Sequence, residues 1–277
     1  MNPLAHAPLG QSVDYPGQYD PGLLFPIARA PARAELGLGA AATLPFVGVD
    51  IWNAYELSWL DPRGKPQVAL ARLTVPATSP NLIESKSLKL YLNSYNQHRV
   101  ASAQEVLTRI TIDLTQAAGA PVEVELIEPR GYGELAIGEP AGRVIDDLDI
   151  ETDRYTPDAS LLAVDAARGH ADEALVSRLL KSNCPVTGQP DWATVQVRYR
   201  GPAIDAAGLL RYIVSFRQHS GFHEQCVERM FLDIAAHCRP DSLSVYARYT
   251  RRGGLDINPW RGTPDQQAPA DLRAPNQ

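Results

Sequence analysis

The chain contains an internal repeat. Shifted by 121 positions, Leu88, Tyr91, Ser94, Gln97, His98, Val106 and Val124 fall on Leu209, Tyr212, Ser215, Gln218, His219, Val227 and Val245. Identities alone are a weak signal, but the hydropathy pattern repeats with them. The apolar-rich stretch 88–95 matches 209–216, and the alternation at Val122, Val124 and Leu126 matches Leu243, Val245 and Ala247. Gly64 and Pro66 match Gly188 and Pro190 at a shift of 124, and the drift of three residues is the size of one loop deletion. A chain duplicated in this way folds as two similar units, so one pattern has to explain both.

That pattern reads as a hairpin, helical segments and a second hairpin. The first hairpin is expected at Tyr55–Leu60 with Gln67–Val75, and again at Ser182–Val186 with Thr194–Tyr199; the second begins at Val122 or Leu243. Antiparallel strands with helices on one face make an α+β unit. The units are expected at residues 44–139 and 176–262, joined by a connection at 140–175 that is acidic around Asp146, Asp147 and Asp149. Residues 1–43, rich in Pro, Gly and Ala without sustained periodicity, read as an extended arm, and 263–277, with Pro264, Pro269 and Pro275, as a flexible tail. Two units side by side leave a crevice, the natural place for a ligand.

Composition narrows the ligand. Hydrophobic residues at 44% and charged residues at 21% are ordinary for a folded globular chain. A net charge of -6 repels phosphates, which argues against direct nucleic-acid binding and for a small molecule. No apolar run approaches the roughly 20 residues that span a bilayer, and residues 1–20 lack a basic segment followed by an apolar one. A cytoplasmic protein without membrane attachment is expected.

Cys184, Cys226 and Cys238 form no CxxC pair and are an odd number, so neither a disulfide framework nor a four-cysteine zinc site is expected. Cys184 is the chemically interesting thiol. Lys181 is near, and Asp191 follows across a Gly188-Gln189-Pro190 turn that could fold its carboxyl back toward the sulfur. A thiolate adds to an electrophilic carbon, and a carboxylic acid protonates the atom that receives the charge. A buried Cys beside a turn aspartate is the plainer alternative. His219 and His223 stand four apart, as zinc-binding pairs do, but the His-Glu-x-x-His order and a third ligand are missing, so no metal is expected. Glu224 can accept two N–H bonds from a purine-like edge. The near matches to a dinucleotide fingerprint, Gly37 to Ala42 and Gly131 to Ala136, lack a strand before or a helix after and read as loops. A dinucleotide would have to meet cations such as Lys86, Lys89, Arg251 and Arg252 instead.

Longer stretches carry a resemblance: Leu44 to Trp52, Asn81 to Asn93, Leu180 to Pro185, Phe222 to Cys226 and Ser244 to Trp260. Over about Asp14 to Arg261 the sequence resembles the long, tandem-domain 7-cyano-7-deazaguanine reductases of the tunnelling-fold superfamily. The resemblance implies NADPH-dependent reduction of a nitrile to an aminomethyl group, in queuosine biosynthesis for tRNA. It implies Cys184 as the nucleophile forming a thioimidate and Asp191 as proton donor. Ile83, Glu84 and Ser85 with His223 and Glu224 would hold the deazapurine, and Ser85, Lys86, Arg252 and Gly253 would bind NADPH, used twice per nitrile. It also implies a homodimer and no metal. Pro185 stands where leucine or isoleucine is usual in that family. A zinc-dependent cyclohydrolase of the same fold, with Cys184 and His223 as ligands, and a non-catalytic purine-binding protein are the competing readings.

Overall fold

The computed structural model describes residues 15–39 and 43–277. Residues 1–14 and 40–42, part of the expected arm, lie outside the described residues, as does the end of the Gly37 to Ala42 near match. The chain divides into two compact units. Among the described residues, one gathers 15–39, 50–136 and 251–257; the other gathers 43–49, 137–250 and 258–277.

In the first unit, β2 (Val47–Leu60) and β3 (Pro66–Pro76) are neighbours joined by a tight turn, and β5 (Glu123–Ile127) pairs antiparallel with β3. Two helices, α2 (Ser85–Asn93) and α3 (Ala103–Ala118), complete it. Alternation along β3 buries Ala69, Ala71, Leu73 and Val75 on one face. Val106, Ile110, Leu114 and Ala118 recur every fourth residue on α3, forming one buried stripe in the same core. Ser102 caps α3 by accepting from the Glu105 N–H at 3.2 Å, and Gly119, in a left-handed conformation, ends it.

The arm is not extended throughout. Within it β1 (Pro26–Ala28) pairs antiparallel with β4 (Asn81–Ile83), and α1 spans Arg29–Glu35. The Arg29 guanidinium is buried on Asp50 at 2.6 Å and also donates to Ser79, and Arg33 donates to the Ala77 carbonyl, so a short helix without an apolar stripe is tied down through its arginines. The hairpin expected after Val122 is absent among the described residues. β5 instead leads into a 3-10 helix, Pro129–Glu134, because Pro129 cannot donate a ladder bond and Gly131 and Gly133 favour a tight turn.

The second unit repeats the order. β7 (His170–Asn183) and β8 (Pro190–Pro202) form a long antiparallel hairpin; α4 (Ala206–Ser215) and α5 (His223–Cys238) follow. β9 (Ser242–Tyr249) pairs with β8, and β10 (Leu255–Gly262) pairs with β9 through residues 260–262. β7 is far longer than the strand expected at Ser182–Val186. Its first residues, His-Ala-Asp-Glu, are mostly polar, with His170 and Asp172 exposed, which disguised them as part of the acidic connection. That connection is structure in its own right: β6 (Arg143–Val144) runs parallel to β7, and a 3-10 turn follows at Ala159–Leu161.

The duplication reaches further than the identities. Asp20 caps the 3-10 turn Pro21–Leu23 and its N–H donates to Ser94 Oγ; Asp158 caps Ala159–Leu161 and its N–H donates to Ser215 Oγ in the same way. Tyr91 donates to Asp113 and Tyr212 to Asp233, both at 2.6 Å. The tail also departs from expectation. Gln277 is buried, bonding Arg248 Nε at 2.6 Å, the Tyr249 carbonyl at 2.8 Å and Asn258 at 2.7 Å. Buried polar groups such as these depend on one another rather than on solvent, so the tail is anchored rather than flexible.

Candidate active site

The turn between β7 and β8 carries the sulfur. The ladder pairs Ser182 with Asp191 and Asn183 with Pro190, then continues one step as the Cys184 N–H donates to the Gln189 carbonyl at 2.9 Å. The Gly188 N–H returns to the Cys184 carbonyl at 3.0 Å, with Gly188 at φ +69, a conformation that suits glycine. Strand alternation therefore puts Ser182, Cys184 and Asp191 on one face, with Cys184 and Asp191 as diagonal neighbours about 7–8 Å apart in the backbone. Both side chains are buried, while Thr187 to Pro190 are exposed, so the thiol lies just beneath an open turn.

α5 delivers the next groups. The Asn183 N–H donates to the His219 carbonyl at 2.8 Å and the Gly221 N–H to the Asn183 carbonyl at 3.1 Å, fixing the start of α5 against the end of β7. Lys181, expected near the sulfur, is committed to this junction through Asn183 Oδ1 at 2.6 Å and the Arg217 carbonyl at 2.7 Å. His223 Nε2 then reaches Asp191 Oδ2 at 3.3 Å, and its Nδ1 is buried without a partner. Its ring stacks on Tyr249, centroids 3.6 Å apart and 4° from parallel. Glu224, buried in the first turn, stands where the helix dipole favours a negative charge. His219 instead meets the Phe216 ring edge-on. Among the described residues no group of three or more His, Cys, Asp or Glu is placed to hold a metal ion.

The other two thiols are separated from Cys184 by their surroundings. Burial pushes Cys226 up to about 12 and Cys238 up to about 11, which keeps both protonated near neutrality.

In the first unit, Glu84 caps α2 with its own side chain, accepting from the Lys86 N–H at 2.7 Å and the Ser87 N–H at 2.8 Å. Burial raises its pKa from the ordinary carboxylate value despite those bonds. Four acceptor positions on a carboxylate leave room for a further donor. The Ile83 side chain belongs to the core behind it. Lys89, one helical turn after Ser85, donates to Glu56 at 2.7 Å and to the Gly253 carbonyl at 2.5 Å. This ties the start of α2 to the Arg252–Gly253 turn, where Gly253 and Gly254 take positive φ. Arg251 lies over the Tyr55 ring at 5.3 Å. Lys89 and Arg251, expected to meet phosphates, are thus engaged within the unit. Of the residues singled out in the sequence, the structure brings together Cys184, Asp191, His223 and Glu224 in one unit and Glu84, Ser85, Lys86, Arg252 and Gly253 in the other. Tyr249 and the Lys89–Glu56 clamp were missed; the first has a signal only in the alternation of β9, the second has none.

The equivalent turn of the first unit has the same backbone bonds with other side chains. The Asp61 N–H donates to the Lys65 carbonyl and the Gly64 N–H to the Asp61 carbonyl, both at 2.9 Å. Asp61 stands in the place of Cys184, the first residue after the strand.

Fold and site together define a duplicated α+β protein whose second unit sets a thiol, a carboxyl and an imidazole around one turn. Residues 15–126 match the family described as nitrile reductase, 7-cyano-7-deazaguanine-reductase N-term, and 190–268 match that of QueF-like protein. A protein of Bordetella bronchiseptica, named NADPH-dependent 7-cyano-7-deazaguanine reductase, is 62% identical over 274 residues, 99% of each chain. Proteins of the same name from Stenotrophomonas maltophilia (62% over 271 residues, 98% of this chain and 97% of the relative) and Burkholderia vietnamiensis (57% over 277 residues, 100% of both) are also similar. The chain belongs to the 7-cyano-7-deazaguanine nitrile reductase family.

Proposed function

We propose that this chain reduces the nitrile of 7-cyano-7-deazaguanine to an aminomethyl group with two NADPH, in queuosine biosynthesis, through a covalent thioimidate on Cys184. The observation that carries the mechanism is the turn itself: Cys184 shares a sheet face with Asp191, and Asp191 meets His223 at 3.3 Å. The Cys184 thiol gives its proton to the Asp191 carboxylate as sulfur adds to the nitrile carbon, and Asp191 passes that proton to nitrogen, converting C≡N into a C=N group. NADPH, when bound, supplies hydride to that carbon, once before and once after the carbon–sulfur bond breaks. Each hydride is matched by one proton, so the acid must be recharged between the two steps. Burial of Cys184 and Asp191 keeps bulk water away from these electrophilic carbons.

Of the second unit, His223 and Glu224 are residues that bind the deazapurine; of the first, Ile83, Glu84 and Ser85 are. The buried, unpartnered Nδ1 of His223 supports this assignment, because a ligand atom can satisfy it. Ser85 and Lys86 at the start of α2, with Arg252 and Gly253, hold NADPH. The fit rests on Lys86 and Arg252, cations of the kind that meet phosphate, and on Lys89, whose bond to the Gly253 carbonyl holds α2 beside the glycine-bearing turn. The two units are tandem tunnelling-fold units, the protein is a homodimer and it works in the cytoplasm.

NADPH oxidation, followed by its absorbance with and without the nitrile, tests the activity. Mixing the protein with 7-cyano-7-deazaguanine alone gives an absorbing adduct that Cys184→Ala does not form; an equal adduct in that variant removes the nucleophile. Asp191→Asn keeps ligand binding and loses about 100-fold or more in turnover.

A further inference from the structure

We infer that Tyr249 is a positioning residue that acts through His223, holding the imidazole plane so that Nε2 meets Asp191; this rests on the proposed function. The 3.3 Å contact with Asp191 fixes one corner of the imidazole, and Nδ1 has no partner to fix another. Two side-chain torsions therefore remain to be held. The parallel Tyr249 ring, 3.6 Å away, is the surface that holds them.

Tyr249 is itself held from several sides. It lies opposite Ala193 in the β8–β9 ladder, and its carbonyl receives Gln277. Its ring is wholly buried, and its hydroxyl lies beside the Cys226 thiol and Ser182, the residue paired with Asp191 across the hairpin. A wholly buried ring with one face under His223 does not touch the ligand. Its influence on the reaction passes through the imidazole.

The test compares Tyr249→Phe with Tyr249→Leu, each alone and combined with His223→Ala. Phenylalanine keeps the stacked ring, so kcat/KM stays within about threefold; leucine removes it and loses about 10- to 100-fold, a size typical of a misplaced catalytic group. In the His223→Ala background the leucine substitution costs less than about twofold further, because the group it acted through is gone. Equal losses with and without His223 overturn the proposal, as does a phenylalanine variant as impaired as the leucine one. Tyr249→Met, closer in volume, makes the same comparison should the leucine variant not fold. Proton NMR of the ligand-free protein judges the stack independently of turnover: His223 ring protons lie upfield in wild type and Tyr249→Phe and move downfield in Tyr249→Leu. No movement overturns the positioning role. If the wild type fails to oxidise NADPH with the nitrile, the functional reading falls while the NMR comparison still decides the stack.

Discussion

Glu84 closes the first turn of α2 with its own carboxylate, and burial opposes the charge it uses. The bonds from Lys86 and Ser87 favour ionisation, but desolvation outweighs them and the pKa is raised. Because the folded value exceeds the unfolded one, the contribution of Glu84 to stability is complete below the ordinary carboxylate range and lost as pH rises through the folded value. Binding has the opposite sign. Only the ionised group accepts N–H bonds on both oxygens, so, with Glu84 in its proposed role, affinity for the deazapurine is expected to fall as pH falls through the same raised value. Calorimetric titration is expected to show weakening that begins above the ordinary carboxylate range. Glu84→Gln should lower affinity by about 10-fold or more, as loss of a charge-assisted bond does, flatten that pH dependence, and leave Tm at neutral pH undiminished. An unchanged pH profile in the variant removes Glu84 from the ligand. Cys184 and Asp191 were legible in the sequence because Gly188 and Pro190 mark a turn between them, and a turn fixes which residues share a face. Tyr249 was not, because its partnership with His223 depends on how β9 and α5 come together, which no local spacing encodes.

Helix ends show what elements owe to single residues. α3 ends at Gly119 in the left-handed region, where glycine has no penalty. α5 ends at Arg239 with φ 47, the one described non-glycine residue with positive φ. The strain of that conformation, about 1–2 kcal/mol, exceeds the entropy that glycine adds to the unfolded chain. Arg239→Gly is therefore expected to stabilise the protein by about 0.5–1 kcal/mol, raising Tm by about 1–3 °C. A lower Tm in calorimetry would show that the arginine side chain contributes more than the strain costs. The helices and their repeat were readable because apolar residues recurring every three or four positions line up on one face only if the chain is helical. The strands were less so: β7 begins with polar residues, and the absence of a return strand after β5 follows from one proline and two glycines rather than from any hydropathy pattern.

At the scale of the molecule, the units interleave along the chain. Residues 43–49 belong with the second unit and 251–257 with the first, while the main break falls after 136, close to the end expected at 139. Contacts define these units, and a segment of seven residues has no compositional signature of its own. The tail is part of the same economy: Gln277 bonds residues on both β9 and β10. Gln277→Ala removes one bond from each of the Tyr249 carbonyl, Asn258, Arg248 and the Ala274 N–H, and is expected to cost about 2–3 kcal/mol. Limited proteolysis should cut the tail of this variant faster; an unchanged rate and Tm would show the anchor to be dispensable. The matching turns after β2 and β7 differ in one respect above all, the aspartate at 61 where its counterpart holds cysteine. With Cys184 as the proposed nucleophile, duplication copied the frame without copying the warhead, and an electrophilic titrant that labels only reactive sulfur should reach its endpoint at one equivalent per polypeptide, counting whole chains rather than halves.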